Sequence, residues 1–431
     1  MLKKSTKLLD HQDVAVDFFT AHKYVLCGDD MGLGKSLESL AFAVRAKSKL
    51  GQILICAPAF LKYNWANEFE KFTEGLSVQV VNGLNDIPSA LFADIIIINY
   101  ARLEMCAQLF ARCNTVIADE AHYLKNVEAN RTALFHQFIK AYKPENLILL
   151  TGTPVKNKVP EFYSLLKLLA YCPTNTNGKK ITDKFKSEND FAKHFSFEEI
   201  IQFKIWSPQF KRQVTVKKSV FKGLRNEEEL KTYFQHKYIR RLTNEVITLP
   251  EMTEKILRVK YTSKDTKMLR EWEKFENIND NELDPESPLA TLKKKSAISK
   301  APFTASVAKN YHEETGEKVV IFSDHIDSTK LIAEKLKVPY IIGSTTISNR
   351  QKLINRFVDG DLQYFVATIG AASTGLNLVV SSHLIFNDLS YVPADNAQAK
   401  KRINRIGQNK TCLITIISGS LIDEKIIMSL Q

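Results

Sequence analysis

Short apolar runs alternate with amphipathic stretches over the first third of the chain, and this alternation constrains the fold more than any other feature. The apolar runs are typical of buried strands, and they are Tyr24–Cys27, Gln52–Cys56, Asp94–Ile98, Thr115–Ala118 and Asn146–Leu150. The stretches between them have helical spacing, at Ser36–Lys49, Asn64–Phe72 and Ala129–Ala141. Strands that alternate with helices predict a parallel sheet with helices on both faces.

The same alternation returns near the C-terminus. The predicted strands there are Lys318–Phe322, Tyr340–Ile342, Tyr364–Thr368, His383–Phe386 and Leu413–Ile417, and the predicted helices are Ser328–Leu336, Ser348–Phe357 and Ala394–Ile406. We therefore predict an α/β chain with two lobes, an N-terminal lobe at 1–172 and a C-terminal lobe at 303–431. Between them we predict a mostly helical insertion at 173–276, followed by a linker or hinge at 277–302 that is acidic and then lysine-rich.

Composition excludes some classes of protein. Of 431 residues, 44% are hydrophobic and 25% are charged, so the chain is not disordered throughout. Because no run of about 18 apolar residues occurs, we expect no transmembrane helix, and the basic start Met1–Ser5 lacks the apolar run of a signal peptide. Lysine and arginine outnumber acidic residues by 60 to 48, a formal charge of +12, which suits a polyanionic partner, although many soluble proteins are mildly basic without one.

The six cysteines show neither a Cys-x-x-Cys pair nor a zinc-finger spacing to histidine. Several lie in strand-like apolar runs, for example Cys56. We interpret them as buried thiols of a reduced, cytoplasmic protein, in the host cytoplasm if the source is viral.

A glycine-rich segment, Gly28–Ser36, joins the first predicted strand to a helix, which is where a phosphate-binding loop belongs. In such a loop Lys35 places its charge on the β and γ oxygens and Ser36 ligates Mg²⁺. The strict spacing requires glycine where Asp29 stands, so Gly28 is one place out of register. The alternative is a glycine-rich turn in which Gly-Lys-Ser occurs by accident.

Two further strands end in chemically active loops. Asp119-Glu120-Ala121-His122 follows one of them, where the first carboxylate can hold Mg²⁺ and the second can polarise water. Thr151-Gly152-Thr153-Pro154 follows another. An acidic turn after a strand is common in itself, but three strand-end loops at one edge of a sheet match the place where doubly wound folds bind ligands.

Near the C-terminus, the segment Gln398–Gln408 places Arg402 and Arg405 three residues apart on one predicted helical face. Arginines from a second lobe can stabilise charge on a γ-phosphate during transfer. The alternative is an ordinary solvated basic face.

With these residues in view, the chain resembles the superfamily 2 nucleic-acid motors of the Swi/Snf type over nearly its whole length. The segments that carry the resemblance are Leu8–Gln12, Asp29–Ser36, Ala57–Glu68, Asp119–Asn126, Leu150–Asn157, Ile321–Ser323, Ala371–Leu378, Gln398–Gln408 and Ser418–Ile426. The family's usual acidic opening accounts for Asp29. In the middle, Tyr238–Arg241 and Leu249-Pro250 are similar to the annealing-helicase group.

The resemblance implies two RecA-like lobes with ATP between them, and it implies roles for individual residues. The implied catalytic residues are Lys35, Asp119, Glu120, Arg402 and Arg405, and the implied Mg²⁺ ligands are Ser36 and Asp119. The implied ATP-binding residues are Gln12, Asp29, Asp30, Met31, Gly32, Leu33, Gly34, Lys35, Ser36 and Gly375. Of these, Gln12 is implied to read adenine. The implied coupling residues are His122, Thr151, Gly152, Thr153 and Gln398, and the candidate DNA contacts are Lys62, Asn64, Ser323 and Thr368.

The implied activity is ATP-driven translocation along double-stranded DNA that remodels branched DNA, by fork reversal or branch migration, in replication, recombination or repair. A monomeric motor is expected, and a phage or bacterial recombination-repair protein would fit the small size. Two alternatives stay open: a strand-separating DNA or RNA helicase, and a DNA-binding scaffold with a vestigial ATP site. A nucleosome remodeller is disfavoured because no histone-reading module occurs in the chain.

Overall fold

The computed structural model describes residues 2–46, 51–152, 159–172, 180–207, 212–259, 288–372, 376–419 and 421–430. The chain divides into two compact units, Met1–Val246 and Ile247–Gln431. Each is built around a parallel sheet. No helix among the described residues is long and apolar enough to cross a membrane.

The first unit contains, in its described part, a seven-stranded parallel sheet in the order β3-β4-β2-β5-β6-β1-β9. Its strands are β1 (Tyr24–Cys27), β2 (Gln52–Ala57), β3 (Val78–Val80), β4 (Ile95–Asn99), β5 (Cys113–Ala118), β6 (Asn146–Leu150) and β9 (Tyr238–Ile239). The central strands are buried on both faces, because they are short apolar runs rather than alternating ones.

Helices cover both faces of this sheet. They are α1 (Asp10–His22), α2 (Lys35–Ala46), α3 (Lys62–Phe72), α4 (Ile87–Ala90), α5 (Ala107–Phe110), α6 (Asn130–Tyr142), α7 (Phe162–Leu169), α8 (Ile181–Lys184), α9 (Glu188–Phe195), α10 (Glu227–Phe234) and α11 (Thr243–Val246). Alternate residues of β2 enter separate cores. Leu54 packs with residues of α6 and α7, whereas Ile55 packs with residues of α1, α2 and α3. The predicted α/β class and its helix-covered parallel sheet are confirmed.

The prediction of a mostly helical insertion at 173–276 is wrong for the described residues, 180–207 and 212–259, and the rest of that range lies outside the described residues. The longest elements described there are two antiparallel strands, β7 (Phe197–Ser207) and β8 (Arg212–Lys222), paired from Phe197–Lys222 to Ser207–Arg212. Their sequences are rich in Ile, Val, Phe and Thr, which favour strands over helices. The segment also supplies a strand to each unit, because β9 pairs with β1 and β10 (Met252–Arg258) pairs with β15 of the second unit.

The second unit contains, within the described ranges, a six-stranded parallel sheet in the order β10-β15-β14-β11-β13-β12. Its other strands are β11 (Val319–Ser323), β12 (Tyr340–Ile341), β13 (Tyr364–Thr368), β14 (His383–Phe386) and β15 (Cys412–Ser418). Its helices are α12 (Pro288–Thr315), α13 (Ile326–Leu336), α14 (Ile347–Val358), α15 (Ile369–Ala372), α16 (Pro393–Lys400) and α17 (Leu421–Leu430). Two cores again lie on opposite faces, one around Phe322 and one around Ile321.

The predicted linker at 277–302 is corrected over its second half, since 288–302 belongs to α12, while 277–287 lies outside the described residues. Of the lysines in this segment, Lys294 and Lys295 are exposed, whereas Lys293 and Lys300 are buried. Lys293 donates to Asp324 Oδ2 at 2.6 Å, and Lys300 donates to Asp423 Oδ1 at 2.6 Å and to Ile417 O at 3.1 Å. A buried lysine is tolerated when a carboxylate pairs with it, and these pairs tie α12 into the second unit.

Candidate functional site

The glycine-rich segment forms the predicted strand–loop–helix connection between β1 and α2 in the first unit. Gly32 and Gly34 have φ of 91° and 90°, a backbone conformation that glycine adopts without a Cβ penalty. Lys35 is the first residue of α2, and its ammonium donates to the carbonyls of Asp29 at 2.7 Å and Asp30 at 3.0 Å. The loop therefore has the shape that a phosphate cradle requires.

Gln12 lies directly against this loop. Its side-chain nitrogen donates to Leu33 O at 3.1 Å, and its side-chain oxygen accepts from the Leu9 backbone N–H at 3.0 Å. A Cβ atom at Gly34 would lie 2.3 Å from Gln12 Nε2, so only glycine allows the loop to pass this close. Gln12 thus braces the loop in this structure, and its adenine-reading role stays a prediction.

The Asp119–Glu120 pair follows β5, as expected. Asp119 Oδ2 accepts from Trp65 Nε1 at 2.8 Å and Asp119 Oδ1 accepts from the Glu120 N–H at 2.9 Å, while Tyr100 donates to the Asp119 carbonyl at 2.7 Å. Glu120 adopts a left-handed backbone with φ of 50°, and its Oε2 lies 3.2 Å from His122 Nδ1. Trp65 and Tyr100 were not predicted as site residues, since apolar periodicity assigns both to the core.

Burial raises the pKa of Asp119 to about 6, the neighbouring Glu120 adds to the rise, and the hydrogen bond from Trp65 and the Lys35 ammonium lower it. The ammonium thus acts on the carboxylate from the loop of a different strand. A carboxylate whose ionisation is opposed by burial and by a neighbouring acid is a good Mg²⁺ ligand, because a bound cation relieves the repulsion between the two acids.

The loop after β6 lies against the loop after β1. Thr151 N donates to Cys27 O at 3.0 Å, which continues the pairing of β6 with β1. A Cβ atom at Gly152 would lie 2.5 Å from Met31 Cγ and 3.6 Å from Lys35 Nζ. The predicted convergence of the loops after β1, β5 and β6 at the carboxyl edge of one sheet is therefore seen in the structure. Thr153 lies outside the described residues.

We expect Asp119→Asn to reduce the pH dependence of stability while removing the Mg²⁺-dependent activity. Because the folded-state pKa of Asp119 lies above its ordinary value, ionisation makes the free energy of unfolding fall as the pH rises from about 4 to about 6. Without Mg²⁺, the free energy of unfolding of the variant should therefore fall by about 1–3 kcal/mol less than that of the wild type between pH 4 and pH 7.5. The variant should lose some stability at both pH values, because an amide has one oxygen to accept the two bonds that Trp65 and the Glu120 N–H donate. Denaturant unfolding at the two pH values measures this, with exposed Asp17→Asn as the control, and an unchanged pH dependence in Asp119→Asn would contradict it.

The side chains of the two acidic residues that open the loop bind to the segment that follows β9. The Asp29 carboxylate is fully buried and pairs with Arg241, and Asp30 Oδ2 accepts from Thr243 N at 3.3 Å and from Thr243 Oγ1 at 3.1 Å. These two side chains therefore support the loop, and a contact of Asp29 or Asp30 with ATP through the backbone stays a prediction. A carboxylate repels phosphate, so this arrangement is physically reasonable.

Arg402 and Arg405 lie in the second unit, where the predicted helix Ala394–Ile406 extends beyond the helix in the structure. Helix α16 ends at Lys400, and Arg402 and Arg405 lie in consecutive turns, with Arg402 N donating to Ala399 O at 3.1 Å and Gln408 N donating to Arg405 O at 3.0 Å. Arg402 is buried and Arg405 half-buried, with a 3.5 Å bond from Arg405 NH1 to Leu376 O. Gln398 is buried on α16, Gly375 lies outside the described residues, and the phosphate role of the arginines stays a prediction.

Two of the four candidate DNA contacts are corrected. Lys62 is buried and donates to Val81 O at 2.8 Å and to Asn82 Oδ1 at 2.6 Å, and Ser323 is buried and donates to Asp388. Thr368 is buried at the end of β13, and Asn64 is half-buried on α3. Because these two side chains are buried as well as hydrogen-bonded within their own units, direct contact of Lys62 or Ser323 with DNA is not supported.

A cavity of about 520 Å³ lies at the same edge of the first sheet, beyond the ends of β2 and β4. Its lining includes Asn99, Tyr100, Tyr123, Asn130 and Arg131. Tyr100 and Tyr123 are stacked, with ring centroids 5.8 Å apart, and Tyr100 also donates to the Asp119 carbonyl. The cavity is thus linked to the acidic pair through one tyrosine.

Comparison with known proteins now gives the family. Residues 11–304, which are more than half of the chain, match the SNF2-related domain. The chain belongs to the SNF2-related family. Residues 303–407 match the helicase conserved C-terminal domain, and the two domains together make the chain a DNA-dependent ATPase of the helicase class.

Similar proteins include the DNA annealing helicase and endonuclease ZRANB3 of Homo sapiens, which is 28% identical over 89% of this chain and 35% of the relative. The DNA repair and recombination protein RAD54 of Saccharomyces cerevisiae is 23% identical over 93% of this chain and 51% of the relative. The SWI2/SNF2 ATPase core domain of Sulfolobus solfataricus has a TM-score of 0.43 and 22% identity, and the match covers 99% of this chain and 88% of that one. The chain spans about a third to a half of the length of these two curated relatives.

Proposed function

We propose that this member of the SNF2-related family couples ATP hydrolysis to translocation on double-stranded DNA and thereby remodels branched DNA in replication, recombination or repair. The observation that carries the proposal is the convergence at one sheet edge of the loops after β1, β5 and β6, in which Gly152 lies beside Lys35 and the Asp119 carboxylate follows β5. Such an arrangement is suited to a nucleoside triphosphate with its metal ion.

In the proposed mechanism each site residue of the first unit has a separate role. Lys35 and the backbone N–H groups of the loop would hold the β- and γ-phosphates, and Ser36 and Asp119 would hold Mg²⁺. When bound, the cation would supply charge neutralisation at the phosphates. Glu120 would orient and deprotonate the attacking water, and His122 Nδ1 lies at ion-pair distance, 3.2 Å, from Glu120 Oε2.

The choice of branched DNA rests on the relatives. One is named as a DNA annealing helicase and another as a DNA repair and recombination protein. The formal charge of +12 suits a polyanion. Since Lys62 and Ser323 are used internally, we place the duplex contact of the first unit at the cavity beyond β2 and β4, where Arg131 is exposed and its guanidinium lies 5.6 Å from the Tyr123 ring.

We expect duplex DNA to stimulate ATP hydrolysis more than single-stranded DNA or RNA does, and a four-way junction to stimulate it at least as well as a plain duplex. Because phosphate contacts release counterions, DNA affinity should fall by at least about tenfold between 50 and 200 mM salt. Steady-state ATPase assays with no nucleic acid, single-stranded DNA, duplex DNA, a four-way junction and RNA measure the first effect, and fluorescence-anisotropy titrations at two salt concentrations measure the second.

The same assays separate the alternatives. Unwinding of a plain tailed duplex, without junction movement, would favour a strand-separating helicase. DNA binding with no hydrolysis under any condition would favour a scaffold with a vestigial site. Arg131→Ala should weaken duplex binding without changing ATP affinity, and equal DNA affinity in this variant would contradict the placement at the cavity.

A further inference from the structure

We propose that Arg241 is a positioning residue for ATP: although it lies 212 residues beyond Asp29, it fixes the conformation of the phosphate loop. This inference rests on the proposed function, since it assigns to Arg241 a part in the same ATP site. Arg241 follows β9 and is largely buried.

Arg241 holds Asp29 at several points. The Arg241 backbone N–H donates to Asp29 Oδ1 at 2.8 Å, Arg241 Nε donates to Asp29 Oδ2 at 2.9 Å, and Arg241 NH2 donates to the same oxygen. Asp29 itself is fully buried. A planar guanidinium that meets a carboxylate through two nitrogens fixes orientation as well as distance.

The same guanidinium joins the elements on either side of the loop. Arg241 NH2 donates to Glu38 Oε1 on α2 at 3.1 Å, and Arg241 NH1 donates to the carbonyl of His11 on α1, next to Gln12. The backbone continues this connection, since Gly28 N donates to Ile239 O at 2.8 Å and Asp30 N donates to Arg241 O at 3.0 Å. The chain around Arg241 therefore lies along the loop and sets its backbone conformation.

The charges around the loop also favour a positioning role for Arg241. Asp29 and Glu38 are both fully buried beneath a loop that must accept the negative charge of a triphosphate. The Arg241 guanidinium supplies a positive charge to both, since its NH2 nitrogen donates to Asp29 Oδ2 and to Glu38 Oε1. Without Arg241, an unpaired buried carboxylate would lie next to the phosphates and repel them.

The test compares Arg241→Ala, Arg241→Lys and the control Arg240→Ala in the full chain. Arg240 is adjacent, carries the same charge and is exposed. Arg241→Ala should raise the Kd for ATP and the KM at saturating duplex DNA by at least about tenfold, with a smaller loss of kcat, because the loop binds phosphate before it supports transfer. Arg241→Lys should recover only part of the affinity, since an ammonium cannot reproduce the fork geometry. The control should stay within about twofold of the wild type.

Added to Arg241→Ala, Asp29→Asn should partly restore ATP affinity, since it removes the unpaired charge but not the misplaced loop. If Arg241→Ala alone does not fold, the double variant is measured in its place, and its KM for ATP should be higher than that of the wild type. An ATP Kd within about twofold of the wild type in a folded Arg241→Ala protein would overturn the inference, and so would full rescue by lysine, which would leave charge as the sole requirement. If the wild type itself binds no ATP, the proposed function fails rather than this inference.

Discussion

Replacing Glu120 with glutamine is expected to give a protein that binds ATP and fails to hydrolyse it. The amide keeps the size of the side chain but cannot accept a proton from water, and general-base catalysis contributes about 10²–10⁴ in rate. Asp119 retains its hydrogen bonds from Trp65 and from the residue 120 backbone, so the Mg²⁺ ligand should stay in place. Turnover should therefore fall by about this factor at nearly constant ATP affinity.

Glu128→Gln is the matched control, because Glu128 is an exposed glutamate eight residues further along the chain. ATP Kd is measured by calorimetry, and hydrolysis is measured at saturating ATP and duplex DNA and in single turnover, so that product release cannot mask the chemical step. Hydrolysis by Glu120→Gln at the wild-type rate would show that the acidic pair has been given the wrong roles.

The sequence predicts the strands that are buried on both faces well, but it misses β3, β9 and β10, which are more exposed. A run such as Asn146–Leu150 or His383–Phe386 has no polar face, and its ends are set where polar or glycine residues begin, so both predicted ranges agree with the structure. The functional loops follow from this, since the carboxyl ends of parallel strands share one edge. The parts of the site that depend on β1, β5 and β6 were therefore predictable.

Tertiary contacts decided the parts that were not predicted. The spacing of Gln398–Ile406 continues a helix, but the chain leaves α16 after Lys400 because Ile403 and Gln408 are buried and Asn404 Nδ2 donates to Pro250 O at 3.0 Å. Lys62 has the sequence context of a surface lysine, and only the fold reveals its bonds to Val81 and Asn82.

The departure of the phosphate loop from strict spacing has a structural explanation that no local pattern contains. Asp29 stands where glycine was expected because its carboxylate is paired with Arg241 from a distant part of the chain. Local spacing carries no information on a partner 212 residues away. The sequence signal close to this partner was the resemblance of Tyr238–Arg241 to the annealing-helicase group.

The second large effect is expected at Lys35. In the structure its ammonium lies within 3.0 Å of two loop carbonyls and is the cation that acts on Asp119. Lys35→Ala should therefore weaken ATP binding by at least about a hundredfold and abolish measurable hydrolysis, since charge-assisted contacts to both the β- and γ-phosphates are lost together.

This variant separates the two catalytic positions, because Glu120→Gln should keep the ATP affinity that Lys35→Ala loses. Lys140→Ala is the control, as Lys140 is an exposed lysine on α6 of the same unit. Calorimetric titration with ATP and Mg²⁺, run beside thermal unfolding of each variant, distinguishes a lost ligand contact from a lost fold. Wild-type ATP affinity in a folded Lys35→Ala protein would mean that the glycine-rich segment is a turn rather than a phosphate loop, and the site would then have to be sought elsewhere in the chain.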